Sequence, residues 1–287
     1  MNKEYFVFNG VSSKDLNMFI INDSSGYSIS QYLPQVQDNF EVTNKIIIDR
    51  GRHYGERIIS FQVAVETKEP LRVLKEISRW LEVDTLRPLI FSRESYKQYY
   101  ARRTGELTPK IYSNYMLIPL QFICLDYLAY SVFSVNEIDE FIMFDENFKH
   151  SGVKYNAKYI YENPSLDKQF SIYHGGNCDK CKPKITIKGT FDDLIIRNVT
   201  TGEECVLNYS LNNDEMVIDC ANQAVFVNGS YSVVGHSGAF ISLKGKSELF
   251  GDIISDNDED GYNKIEFVTA NPYEIKEIRF DFRFVDY

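Results

Sequence analysis

One stretch of the 287-residue chain carries a helical period, and its isolation limits the fold more than any other feature. Leu71, Leu74, Ile77 and Leu81 recur at helical spacing, with Val73 and Trp80 beside them, while Lys75, Glu76, Arg79 and Glu82 fill the other side. Pro70 suits the first turn, where its missing N–H costs nothing, and Pro88 lies just beyond the end. The spacing predicts one amphipathic helix from Pro70 to near Asp84. After it the period drops to two: Leu89 to Phe91, Tyr99 to Ala101 and Met116 to Leu125 read as strands. A lone helix among strands has to cover a sheet face.

The rest of the chain is consistent with that reading. Aromatic residues make up 14% of it, nearly all Tyr and Phe, which together with Ile and Val favour pleated strands. Tyr5 to Phe8 is a strand ended by Asn9-Gly10, a tight-turn pair, with Leu16 to Ile21 expected as its partner. Lys45 to Asp49 reads as a strand, Arg50 to Gly55 as a turn, and Ile58 to Val65 as a strand with one buried face. Residues 135–161 are irregular and charged and read as a linker plus the first strand of a second domain, giving domains 1–134 and 135–287. Beyond it, Phe170 to Tyr173, Lys184 to Lys188, Asp193 to Asn198, Glu204 to Tyr209, Met216 to Asp219, Ala224 to Val227, Phe240 to Leu243, Lys264 to Val268 and Ile278 to Phe284 are short strands between turn residues. Such spacing without a helical period suggests a β-sandwich.

Charge and cysteine usage narrow the function. A net charge of −10 disfavours gripping a nucleic-acid backbone with a broad basic face. No signal-peptide pattern or membrane-spanning apolar run is visible, so folding in the cytoplasm is expected, with the five irregularly spaced cysteines mostly reduced.

The order of elements resembles the distal tail proteins of long-tailed bacteriophages and prophages of Gram-positive hosts. The resemblance rests on the Phe6, Phe8, Asn9, Gly10, Ser13, Asp15, Leu16 hairpin, the Gly/Arg turn before a long strand, and the helix ending Trp80-Leu81. It continues through Pro88-Leu89-Ile90-Phe91, Tyr99-Tyr100-Ala101-Arg102 and Phe122-Ile123-Cys124-Leu125-Asp126, although Tyr127 follows where the family usually has Pro. In the second half, Pro183 to Ile187, Ile195 to Asn198 and Arg279 to Phe284 look like that family's galectin-like domain. The resemblance implies a mainly β fold: an N-terminal β-barrel or sandwich-like ring-forming domain with one covering helix, then a galectin-like β-sandwich. It also implies a homo-oligomeric ring of six in the virion, at the distal end of the tail, assembled in the host cytoplasm. The implied partners are the tail tube protein on one side and a tail-associated baseplate or tip protein on the other. DNA would pass through an acidic lumen without stable binding, and no membrane or cofactor is involved.

Each motif with chemical potential has a plainer reading. Cys178 and Cys181 have the spacing of a metal-binding or redox pair, but His174, Cys205 and Cys220 lie at unpatterned distances and an inter-strand turn explains the pair. Asp256, Asp258, Asp260 and Gly261 match half a calcium loop, yet Phe267 stands where the bidentate Glu belongs and Glu266 is one residue off, so a solvated hairpin tip is preferred. No histidine or Gly-X-Ser-X-Gly signature frames a nucleophile, and catalysis is not expected. Tyr96, Tyr99, Tyr100, Tyr112 and Tyr115 surround Arg102 and Arg103, residue types favoured where subunits meet. Subunit contacts are therefore expected at Tyr99, Tyr100, Arg102 and Arg103 and at the Asn9-Gly10 hairpin. The competing function is a cell-wall carbohydrate-binding module, with Tyr231 or Tyr273 stacking on sugar.

Overall fold

A computed structural model describes residues 3–21, 36–43, 46–137, 159–166, 169–178, 180–232, 234–245, 261–270 and 273–286, with only the backbone described from 36 to 54. The chain forms two compact units that divide between Val132 and Phe133.

In the first unit, β1 (Phe6–Phe8) and β2 (Val11–Ser12) make a hairpin through Asn9 and Gly10, both at positive φ, 50° and 77°. β3 (Met18–Ile20) was expected to return along β1. Instead a 3-10 turn over Ser13–Leu16, closed by Asn17 at φ 50°, sends it elsewhere. β4 (Val36–Thr43) and β5 (Ile46–Tyr54) form a separate two-stranded ribbon, so most of the expected Arg50 to Gly55 turn is strand. β6 (Arg57–Glu66) then leads into α1 (Pro70–Leu81), followed by β7 (Arg87–Phe91), β8 (Lys97–Thr104), β9 (Lys110–Ile111), β10 (Tyr115–Cys124) and β11 (Ala129–Ser131). The sheet runs β2-β1-β7-β8-β10-β6-β3, with β9 on β10 and β11 on β8. Pro119 sits inside β10 opposite Gln62, at a point where β9 has ended and β8 has not yet begun to pair. Its missing N–H is tolerated there because that edge carries no partner.

The helix covers the sheet as expected, but ends at Leu81 rather than near Asp84. Ile77 and Leu81 are fully buried. Leu71, assigned by spacing to the same face, is 68% exposed. At ~100° per residue it lies about 120° round the helix from Ile77 and misses the sheet. The Trp80 ring stacks on Phe6 at 5.5 Å, its Nε1 donates to the Phe8 carbonyl at 3.1 Å, and Phe61 lies over Phe122 at 5.9 Å. This aromatic layer, sealed by one helix, is the core.

The second unit contains β12 (Ile160–Glu162), β13 (Phe170–Tyr173), β14 (Lys184–Asn198), β15 (Glu203–Asp219), β16 (Ala224–Val227), β17 (Ser230–Ser232), β18 (Gly235–Gly238), β19 (Tyr262–Thr269), β20 (Glu274–Asp281) and β21 (Val285–Asp286). The strands expected at Lys184 to Lys188 and Asp193 to Asn198 are one continuous strand, as are those at Glu204 to Tyr209 and Met216 to Asp219. β14 pairs β15 along its length, but on its other edge it pairs β20 up to Thr190 and β19 from Leu194 onward. Bulges at Gly189/Thr190 and Asp192/Leu194 make that change of partner possible. Gly189 has φ 146°, and a Cβ there would lie 2.2 Å from the Glu274 carbonyl oxygen. Phe240 to Leu243, expected as a strand, is a buried loop touching Cys181 by a single bridge. Its polar groups are satisfied sideways: Ser242 donates from N and Oγ to Glu203, each at 2.5 Å, and the buried Asn198 donates to the Ser242 carbonyl at 2.6 Å. Among the described residues, no helix is long and apolar enough to cross a membrane.

Candidate functional site

The residues expected at subunit contacts separate in the fold. Asn9 and Gly10 are exposed at the hairpin tip, and a Cβ on Gly10 would meet nothing within 4 Å. Arg102 is exposed on β8. Its neighbours in sequence are less available. Tyr99 is 3% exposed, with its ring against Phe91 at 6.3 Å, because alternate residues of β8 point into the core. Burial also raises its phenol pKa above the usual value. That corrects Tyr99 to a core residue. Tyr100 is half-buried against Tyr130 at 5.5 Å, and Arg103 is held by Glu82 at 3.0 Å and the Gly105 carbonyl at 2.6 Å. The five-tyrosine cluster is likewise dispersed. Tyr112 and Tyr115 stack at 4.6 Å on the β9–β10 hairpin, both well exposed and next to the exposed Ile111.

Cys178 and Cys181 are both buried, and each thiol donates to a backbone carbonyl: Cys178 to Lys180 at 3.6 Å, Cys181 to Arg283 at 3.5 Å. A donating thiol is protonated, and burial drives the Cys181 pKa upward, with Cys178 adding to the effect. Burial likewise pushes Cys124 and Cys220 up to about 12 and Cys205 up to about 11. Among the described residues, no three His, Cys, Asp or Glu side chains stand where one metal ion could be held. Asp256, Asp258 and Asp260 lie outside the described residues. Downstream, Glu266 faces outward with its carboxylate 3.4 Å from Arg197, and Phe267 is in the core, so the two do alternate between faces. His174 is buried and its Nε2 accepts from the Val285 N–H at 3.2 Å. Gly235 to Gly238 is strand β18, paired with Cys205 to Asn208. Of the two tyrosines considered for sugar stacking, Tyr231 is 67% exposed on the β16–β17 hairpin. Tyr273 is less exposed, and its hydroxyl accepts from the Leu166 N–H at 3.2 Å.

One concave feature escapes sequence reasoning. Lys3, Glu4, Tyr5, Lys14, Phe19, Ser92 and Arg93 line an open cleft of about 540 Å³ on the first unit. Pairing of β1 with β7 sets Phe6 opposite Phe91, and the ladder continues outward, with Ser92 N–H donating to the Tyr5 carbonyl at 2.9 Å and Tyr5 N–H to Ser92 Oγ at 3.1 Å. Residues nearly ninety apart in sequence are thereby neighbours. The Lys14 ammonium sits 3.6 Å above the Tyr5 ring, and that of Lys3 sits 4.5 Å above Phe19 and 2.6 Å from Glu66.

No protein-family model matches the chain, and no curated protein matches it in sequence. Among solved structures, the Dit protein of phage SPP1, described as a paradigm of the hub adsorption apparatus of phages infecting Gram-positive bacteria, shares the fold end to end. It is 12% identical with a TM-score of 0.65, covering 99% of this chain and 100% of that one. The phage P2 baseplate in its activated conformation with Ca aligns more loosely, at 14% identity and a TM-score of 0.39 over 97% of this chain and 98% of that one. Among the described residues the fold is mainly β with one α-helix and a second sheet, as expected from the resemblance.

Proposed function

We propose that the chain is a structural component of a phage tail tip, a distal tail protein without enzymatic turnover. Six copies form a ring that joins the tail tube to the baseplate or tip and its host-adhesion apparatus. The observation that carries this reading is the agreement of fold over both units and nearly the full length of both chains, at a TM-score of 0.65. A fold shared from end to end constrains the role more than a shared single sandwich would, because the combination of two particular units is rarer than either. Two surface features support it further. The hairpin tip at Asn9 and Gly10 and the stacked Tyr112 and Tyr115 pair are exposed, and tyrosine is a residue type enriched where subunits meet. In this reading domain 1–134 forms the ring, domain 135–287 is a galectin-like sandwich facing outward, and the protein resides in the virion. Ring closure leaves no free contact surface, so contacts that are weak singly hold the assembly.

Light scattering over a concentration series, with negative-stain imaging of the same samples, tests the reading. A mass six times that of the chain, or one rising toward it, with ring-shaped particles is expected. Failure to form rings even with the cognate tail tube and tip proteins present would overturn it.

A second reading, a cell-wall carbohydrate-binding module, draws on the exposure of Tyr231 next to Phe226 at 5.9 Å. Retention of the monomer on purified cell walls, lost in Tyr231→Ala, would favour it.

A further inference from the structure

We propose that Asn9 is a site of spontaneous covalent modification, at which the side-chain amide is lost to give aspartate and isoaspartate. The dipeptide Asn-Gly occurs twice in the chain, at Asn9-Gly10 and at Asn228-Gly229. Both close tight hairpins, the first between Phe8 and Val11, the second between Val227 and Ser230. Their backbones match, with Asn at φ 50° in each and Gly at 77° and 76°. All of these Asn and Gly residues are exposed, and a Cβ on either glycine would meet nothing within 4 Å. Dipeptide, turn and exposure therefore do not separate the two sites. The side chains do. Asn228 is clamped: its Oδ1 accepts from the Glu215 N–H at 3.1 Å and its Nδ2 donates to Asp214 at 2.9 Å. The backbone N–H of Asn9 donates to the Pro88 carbonyl at 3.0 Å, but among the described residues its side-chain amide makes no hydrogen bond.

The chemistry needs only water as co-reactant. The backbone nitrogen of the following residue gives its proton to solvent base and attacks the Asn Cγ. A C–N bond forms, the Cγ–Nδ2 bond breaks, and ammonia leaves behind a cyclic succinimide. Water then opens the ring: cleavage at Cγ yields aspartate, cleavage at the main-chain carbonyl yields isoaspartate, and nothing is oxidised or reduced. Glycine leaves the attacking nitrogen uncrowded because it has no Cβ. The side chain must also swing over that nitrogen, and the turn must open briefly to let it. Its hydrogen bonds to Glu215 and Asp214 oppose the swing at Asn228. Asn9 lacks such a clamp, and its hairpin is the shorter one, pairing Val7 with Ser12 and Phe8 with Val11. The product adds a negative charge at the hairpin tip. Where that tip is a subunit contact, the charge falls within the contact; this consequence rests on the ring proposed above, whereas the modification does not.

The full-length protein is incubated, folded, at mildly alkaline pH, and peptides sampled over days are read by mass spectrometry with fragmentation that distinguishes isoaspartate from aspartate. In the folded chain, amide loss at Asn9 at least roughly tenfold faster than at Asn228 is expected, with comparable loss at both sites in urea, where neither turn persists. Asp214→Ala removes the acceptor of Asn228 Nδ2 and should speed loss at Asn228 while leaving Asn9 unchanged. Gly10→Ala places a Cβ in open space and should slow loss at Asn9. Circular dichroism melting of each variant establishes that it is folded. Retention of the Asn9 amide in the folded chain, under conditions where the denatured chain loses it, would overturn the proposal, as would equal rates at the two sites in the folded chain. Aspartate formed without isoaspartate would overturn the succinimide route.

Discussion

Arg57 is the residue whose placement owes least to its own chemistry. It is 1% exposed at the start of β6, opposite Cys124, with its guanidinium 5.2 Å from the Tyr99 ring. Among the described residues its Nε and Nη2 have no hydrogen-bond partner. A buried charge with unmet donors costs several kcal/mol, only part of which a ring face offsets. Replacement by an apolar side chain of similar length removes that cost while keeping most of the packing. Arg57→Met is therefore expected to leave stability unchanged or to raise it by about 1–4 kcal/mol, read as the shift in the urea midpoint at unchanged slope. A marked loss would mean that the guanidinium is satisfied in solution. Nothing in the sequence marked this position, because the alternation of Ile59, Phe61, Val63 and Val65 extends to 57 only when the register is known.

At the scale of elements, α1 and β14 teach opposite lessons. The helix was legible because its apolar period and its Pro70 start are local properties, and only Leu71, at the margin of the stripe, was misplaced. The pair β14 and β15 was read as four short strands because Gly189 and Asn213, residues typical of turns, interrupt it. Within the fold these residues bend a long ladder rather than end it, since partners on both sides hold the strand through the bulge. Gly189 tests this account. An Ala there would adopt a φ that L residues avoid and would press its Cβ on the Glu274 carbonyl oxygen, so Gly189→Ala should destabilise the second unit by about 2 kcal/mol or more. Gly202→Ala, also at positive φ but with open space around its Cβ, should cost about 1 kcal/mol. Thermal melts of the two variants, compared side by side, separate steric conflict from backbone strain.

For the molecule as a whole, the second unit carries an acid sensitivity. Burial by itself would raise Glu203, but the two Ser242 hydrogen bonds, Lys182 and Lys180 outweigh it and hold the carboxyl below its usual value. Asp219, bonded by Asn222 and facing Lys184, and Glu277, bonded by Arg279 and Lys188, are lowered in the same way against the same opposing burial. A carboxylate with a folded pKa below its unfolded one adds stability above the unfolded value, and that stability is lost as pH falls through the folded one. The urea midpoint of the second unit should accordingly decline below about pH 4–5, the unfolded carboxylate range. In Glu203→Gln that decline should be shallower, at the expense of stability at neutral pH. A midpoint insensitive to pH between about 6 and 3 would contradict the assignment of these three groups.

The mainly β class, the single covering helix, the Asn9-Gly10 turn and the likeness to a distal tail protein could all be read from the sequence. Each depends on period, turn chemistry or element order, which are properties of neighbouring residues. The partner of β3, the continuity of β14, the burial of Tyr99 and Arg57, and the meeting of Lys3, Lys14 and Arg93 could not. Those depend on register between strands remote in sequence, where a shift of one residue exchanges inside for outside. Alternation along β8 says that every second side chain is buried, and only its pairing with β7 and β10 decides that Tyr99 is one of them.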